Sequence, residues 1–225
     1  MSFLEEIKSK KRLNQVNTIV TRVDGSKVII SSEGEEIVYT DDSLTNYGYI
    51  VDTKPDELAH QIDLSSLTDL NSITDLSPLF KLYIGSQDAA HNKNELTKKS
   101  ITHILNVGYG IDNIFQKDIT YLSINILDNV DVDITKEFPR AFQFIEQSFD
   151  NGATALLVHC NAGISRSSTI LVGFLMNKFK IPMQRALDVV KEARPSIKPN
   201  FGFIKSLLEY EKEILFTVFK LWVCC

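Results

Sequence analysis

One short segment of this chain concentrates reactive residue types: LLVHCNAGISRSSTILVGFLM, residues 156–176. An aliphatic run of strand character ends at Cys160, and Arg166 opens an apolar run of helical character. Between them lie Asn161, Ala162, Gly163, Ile164 and Ser165. A strand–loop–helix turn of this length curls its backbone N–H groups inward, forming an anion-binding nest at a helix N-terminus. Gly163 permits the curl because it carries no Cβ to obstruct the turn or a ligand. A phosphate dianion fits the cradle, and Arg166 adds a planar clamp across two of its oxygens. Residues 161–166 are therefore the candidate substrate-binding loop. The nest, the helix dipole and Arg166 also favour negative charge on the sulfur of Cys160, the form that attacks phosphorus in line. The hydroxyl of Ser167 is placed to reach that sulfur and help it leave when an intermediate breaks down.

Such a displacement needs a general acid for the departing oxygen, supplied by another loop. INILDNVDVDI offers three: Asp128, Asp131 and Asp133. Asp133 also suits a second role, capping the helix that begins at ITKEF. Asn200 is a natural N-cap for the last helix. His159, beside the nucleophile, reads on its own as a satisfied core histidine.

The elements that must position these residues follow from periodicity. LYI, HILNV, TYLSINI and ALLVHC are short apolar runs of the kind found in strands buried on both faces. Ile134, Phe138, Ala141, Phe142 and Ile145 recur at helical spacing, and the pattern stops at Asp150-Asn151-Gly152, where glycine can take a left-handed cap. Pro182 fits the first turn before MQRALDVVKEA, which ends ahead of Arg194-Pro195. The alternation predicts an α/β fold, a central and mostly parallel sheet flanked by helices. It begins near Leu79. Residues 1–78 read as a polar N-terminal extension. A short amphipathic helix there would use Phe3, Leu4 and Ile7. A β-hairpin is expected in TIVTRVDGSKVII, with Asp24-Gly25 in its turn, and a third strand from Glu36 to Tyr39. Residues 79–215 read as the catalytic domain and 216–225 as an apolar tail that extends the last helix.

HCNAGISRSS resembles the H-C-x5-R-[ST] signature of the protein tyrosine and dual-specificity phosphatases. The resemblance runs from about Leu79 to Tyr210 and takes in LYIGSQDAA, THILNV, ILDN and ARPSIKPNFGF. It implies the cysteine-dependent phosphatase fold and a phosphocysteine intermediate, with Cys160 as nucleophile and Arg166 as clamp. Among the three aspartates it selects Asp128, 32 residues before Cys160. It gives His159 and Asn200 supporting roles around the loop. It implies phosphoprotein substrates, with a kinase of a stress or MAP kinase pathway among them, and no cofactor. No aromatic insertion deepens the pocket around residues 84–99, so phosphoserine and phosphothreonine are expected beside phosphotyrosine. The lysine-free loop argues against highly anionic lipid headgroups.

The bulk composition agrees. In 225 residues, 44% are hydrophobic and 24% charged, enough for one packed domain and an appendage. A net charge of −5 argues against nucleic-acid partners. Cys160, Cys224 and Cys225 make no disulfide framework, and MSFLEEIKSKKR has no apolar signal core, so a cytoplasmic or nuclear location is expected. No stretch reaches the roughly 18 apolar residues of a membrane span. His60, His91, His103 and His159 are scattered, and no metal site is expected. The basic KSKKR reads as a solvated helix face. The terminal cysteine pair forms no CaaX box. A silent phospho-binding scaffold is the rival from another class. Retention of Cys160, Arg166 and Asp128 together is what separates the enzyme from it.

Overall fold

A computed structural model describes residues 18–21, 27–30, 36–38, 56–67 and 81–223. The chain divides into two compact units, 1–51 and 52–225. In the first, β1 (Thr18–Thr21), β2 (Lys27–Ile30) and β3 (Glu36–Val38) form an antiparallel sheet in chain order. That is the expected hairpin and third strand. Asp24 and Gly25 lie outside the described residues, as do the expected first helix, KSKKR, Pro78, Cys224 and Cys225.

The second unit is built on a five-stranded sheet: β4 (His60–Gln61), β5 (Lys81–Gly85), β6 (His103–Gly108), β7 (Thr120–Ile126) and β8 (Ala155–His159). Its order is β4-β5-β8-β6-β7, parallel throughout except for β4. All residues of the central β8 are buried, which is why ALLVH reads as an unbroken apolar run rather than an alternation. Each of the four expected strands is present.

Helices cover both faces. SQDAAHNKNEL, polar apart from Ala89, Ala90 and Leu96, forms α1 (Gln87–His91) and α2 (Lys93–Lys98). The side chains of Ser86 and Asn92 accept from Ala89 N and Glu95 N to cap them. The periodic stretch from Ile134 divides into a 3-10 turn, Ile134–Glu137, and α3 (Phe138–Asp150). Asp133 caps the turn through Thr135 N, and Gly152 follows α3 at φ +81°. α4 (Arg166–Phe179) is buried from residue 166 to 176 and packs on β8, α5 (Met183–Ala193) and α6 (Phe201–Val223). Pro182 stands one place earlier than expected, as the N-cap of α5. The expected tail beyond residue 215 continues α6 as helix to Val223.

The structure draws the domain boundary earlier than residue 78. β4 pairs with β5 through His60↔Ile84 and Gln61↔Tyr83, and Ile62 and Leu67 are buried in the main core. Each such side chain contributes about 1.5–3 kcal/mol on burial. Their aspartate- and serine-rich surroundings hide this, because few apolar residues suffice for one short edge strand.

Candidate active site

Parallel sheets bind ligands beyond the carboxyl ends of their strands. The candidate residues gather there. β8 ends at His159 and delivers Cys160, and β7 ends at Ile126, two residues before Asp128. Cys160 is 1% exposed, and its Sγ lies 3.4 Å from Ser167 Oγ.

The loop after Cys160 is held from outside, carbonyl by carbonyl. Gln87 N donates to Asn161 O at 2.8 Å. Arg194 Nη2 donates to Ala162 O at 2.9 Å and its Nε to Gly163 O at 3.0 Å. Ile164 O accepts from Lys198 N at 2.9 Å and from Ser168 Oγ at 2.6 Å. Ser165 O accepts from Thr169 N and from the hydroxyls of Ser168 and Thr169. A peptide whose carbonyl faces out turns its N–H inward, so the amides of residues 162–166 line the inner side. Gly163 sits at φ +70°, and a Cβ there would stand 2.5 Å from Gly85 O. Left-handed backbone and close approach of β5 both require glycine at this place.

Arg166 is 7% exposed. Its Nη1 donates to Ile126 O at 3.0 Å and its Nη2 to Asn161 Oδ1 at 2.7 Å. Nε lies 3.4 Å from Asp128 Oδ2, an ion pair without hydrogen-bond alignment, which leaves a buried donor with no acceptor. A phosphate oxygen would satisfy it.

Asp128 is fastened to the loop. Its Oδ1 accepts from Ser165 Oγ and from Asn200 Nδ2, each at 2.8 Å. Asn200 N donates to Ser165 Oγ at 3.2 Å, while Asn200 Oδ1 accepts from Phe203 N at 2.9 Å. Asn200 is thus both helix cap and brace, the two readings the sequence left side by side. Asp131 is exposed and Asp133 is engaged in its cap, so only Asp128 of the three aspartates bonds to the loop. Gly202 lets α6 meet this segment, since a Cβ there would stand 1.9 Å from Val130 O.

His159 is 1% exposed, and its Nδ1 donates to Cys160 O at 3.3 Å. Burial pushes its pKa down to about 4, only partly offset by that hydrogen bond. It is therefore neutral at pH 7.

Arg194 and the side chain of Ser165 are the participants that sequence reasoning missed. Arginine at a helix C-terminus is ordinary charge placement, so Arg194 gave no signal. Among the described residues, no group of histidine, cysteine, aspartate and glutamate could hold a metal ion.

Residues 82–213 match the family model described as dual specificity phosphatase, catalytic domain. The chain belongs to the dual specificity phosphatases. It is 40% identical over 232 residues to a probable dual specificity protein phosphatase of Dictyostelium discoideum, covering 95% of this chain and 99% of that one. It is 39% identical to mouse dual specificity protein phosphatase 19, covering 90% and 86%. Among solved structures, the human tyrosine phosphatase-like serine/threonine/tyrosine-interacting protein superposes with a TM-score of 0.57 at 34% identity, covering 63% and 96%. As a dual specificity phosphatase, the chain is an enzyme that hydrolyses phosphoric monoesters on proteins.

Proposed function

We propose that this dual specificity phosphatase acts on phosphotyrosine and on phosphoserine or phosphothreonine in two steps through Cys160. The sulfur attacks phosphorus while Asp128 protonates the leaving oxygen, breaking the P–O bond and forming phosphocysteine. Asp128, now a base, takes a proton from water, which attacks phosphorus and releases the sulfur, with the Ser167 hydroxyl beside it. The amides of residues 162–166 and the Arg166 guanidinium bind the equatorial oxygens. The observation that carries this reading is the loop whose carbonyls are all bonded outward around a buried cysteine. The absence of an aromatic insertion around residues 84–99 supports the wide substrate range. A phosphorylated kinase of a stress-responsive pathway, met in the cytoplasm or nucleus, is the proposed target, and this part rests on the sequence resemblance alone.

Turnover by the wild type and by Cys160→Ser on phosphotyrosine, phosphothreonine and doubly phosphorylated peptides tests it. A serine hydroxyl is not ionised near pH 7, so the variant should be inactive with its unfolding midpoint unchanged. More than a few per cent of residual activity would refute the cysteine mechanism.

A further inference from the structure

Arg194 is 2% exposed, and its guanidinium is divided between two tasks. Nε and Nη2 hold Gly163 O and Ala162 O, while Nη1 donates to Asp56 Oδ2. A guanidinium taken out of water needs a counter-charge. Among the described residues the carboxylate of Asp56 is the one ion-paired with it. Asp56 lies 138 residues away in the chain and outside the stretch 82–213 that the family model matches.

Asp56 is also tied through its backbone. Its carbonyl accepts from Ser86 Oγ at 2.6 Å, and the same hydroxyl caps α1 through Ala89 N. The next residue, Gln87, donates its amide to Asn161 O. Ser86 N is 3.0 Å from where a Cβ on Gly163 would stand. Asp56 therefore grips two of the segments that touch the outer side of the loop, α1 at its start and Arg194 at its middle. Its Oδ1 accepts from Leu58 N at 3.2 Å, and His60 Nε2 lies 3.3 Å from Oδ2. Burial alone would raise its pKa, but the bond and charge of Arg194, the Leu58 amide and His60 outweigh it and hold the carboxyl below its usual range.

We propose that Asp56 is a positioning residue for phosphate binding: through Arg194 it keeps the carbonyls of Ala162 and Gly163 turned outward, and hence the amides across from them turned toward the phosphate. The segment before β5 is then part of the catalytic apparatus. This rests on the loop being the phosphate site.

The test uses the full chain and three variants. Asp56→Asn keeps shape and removes charge. Asp56→Glu restores the charge. Ile104→Val thins the core at a residue of β6 outside the loop's contacts, as a control for stability. Well below their melting temperatures, Asp56→Asn should lose roughly ten- to a hundredfold in both kcat/KM on an aryl phosphate and vanadate affinity, the effect expected of displacing a positioned group by about an ångström. Hydrogen exchange in a peptide covering residues 160–166 should accelerate in parallel. Asp56→Glu should recover most of both, and Ile104→Val should change neither. Should Asp56→Asn fail to fold, Arg194→Lys keeps a cation beside Asp56 while losing the forked grip, and the same losses are expected. A lowered melting temperature with vanadate affinity, kcat/KM and loop exchange unchanged would overturn the proposal. If the wild type neither bound vanadate nor turned over, the function reading would fall, and the exchange comparison would still judge the brace.

Discussion

Asn200 donates its side-chain amide to Asp128 over 2.8 Å, joining residues 72 apart at the lip of the Cys160–Arg166 loop. The bond fixes the candidate acid against the helix that Asn200 itself caps. Acid position and helix position are therefore coupled.

Asp128→Ala should lower turnover on phosphoserine peptides by roughly 100- to 10,000-fold, the range general acid catalysis supplies. The loss should be smaller on an activated nitrophenyl phosphate, whose leaving group departs nearly unaided. Asp131→Ala and Asp133→Ala should cost far less in rate, and Asp133→Ala should lose about 1 kcal/mol of stability with its cap. Steady-state rates on both substrate types decide the matter. A large loss confined to Asp131→Ala would move the acid by three residues.

Asn200 variants separate brace from cap. Asn200→Ser keeps a capping oxygen but cannot reach Asp128, so stability should survive while turnover on phosphopeptides falls roughly tenfold, the equivalent of one charge-assisted hydrogen bond. Asn200→Ala should lose the same rate and about 1 kcal/mol of stability as well. Equal rates for wild type and Asn200→Ser would leave Asn200 as a cap alone.

Gly163→Ala forces a Cβ against Gly85 O at φ +70°. We expect a loss of roughly 2 kcal/mol or more in urea unfolding, together with loss of vanadate binding. A well-folded variant that still bound vanadate would show the loop to be far more pliable than its packing indicates.

His159 makes stability depend on pH. Its pKa is about 4 when folded and about 6.5 when unfolded, so the unfolded chain takes up the proton first. This contribution is intact above pH 6.5 and is lost as pH falls toward 4, by roughly 2 kcal/mol between pH 7 and pH 5. Urea unfolding of His159→Gln should vary less over that window than that of the wild type. Parallel curves for the two chains would remove His159 as the cause.

The Cys160–Arg166 loop was legible because its residues are contiguous: the proposed nucleophile, the curl and the proposed clamp all lie within residues 160–166. So was the sheet, whose strands are unbroken apolar runs. What escaped notice acts across long separations through ordinary residue types. Arg194 stands where helices commonly end in a cation, and Asp56 sits in a polar stretch with no periodicity. The spacing of Ser165 points only to its backbone, although its hydroxyl joins Asp128 to Asn200 N. The three aspartates could not be ranked by spacing, because the choice depends on which one the loop and α6 reach.

Cys160 lies almost sealed at the floor of a ring of inward amides. That architecture acts as a sieve for chemical probes. A reagent must enter that ring to reach the sulfur, and a small one bearing a carboxylate is favoured by the inward amide dipoles. Iodoacetate should therefore alkylate this sulfur faster than neutral iodoacetamide, reversing their order on a free thiol, and bound vanadate should block the reaction. A labelling reagent for this enzyme is best designed as a phosphate mimic first and an electrophile second.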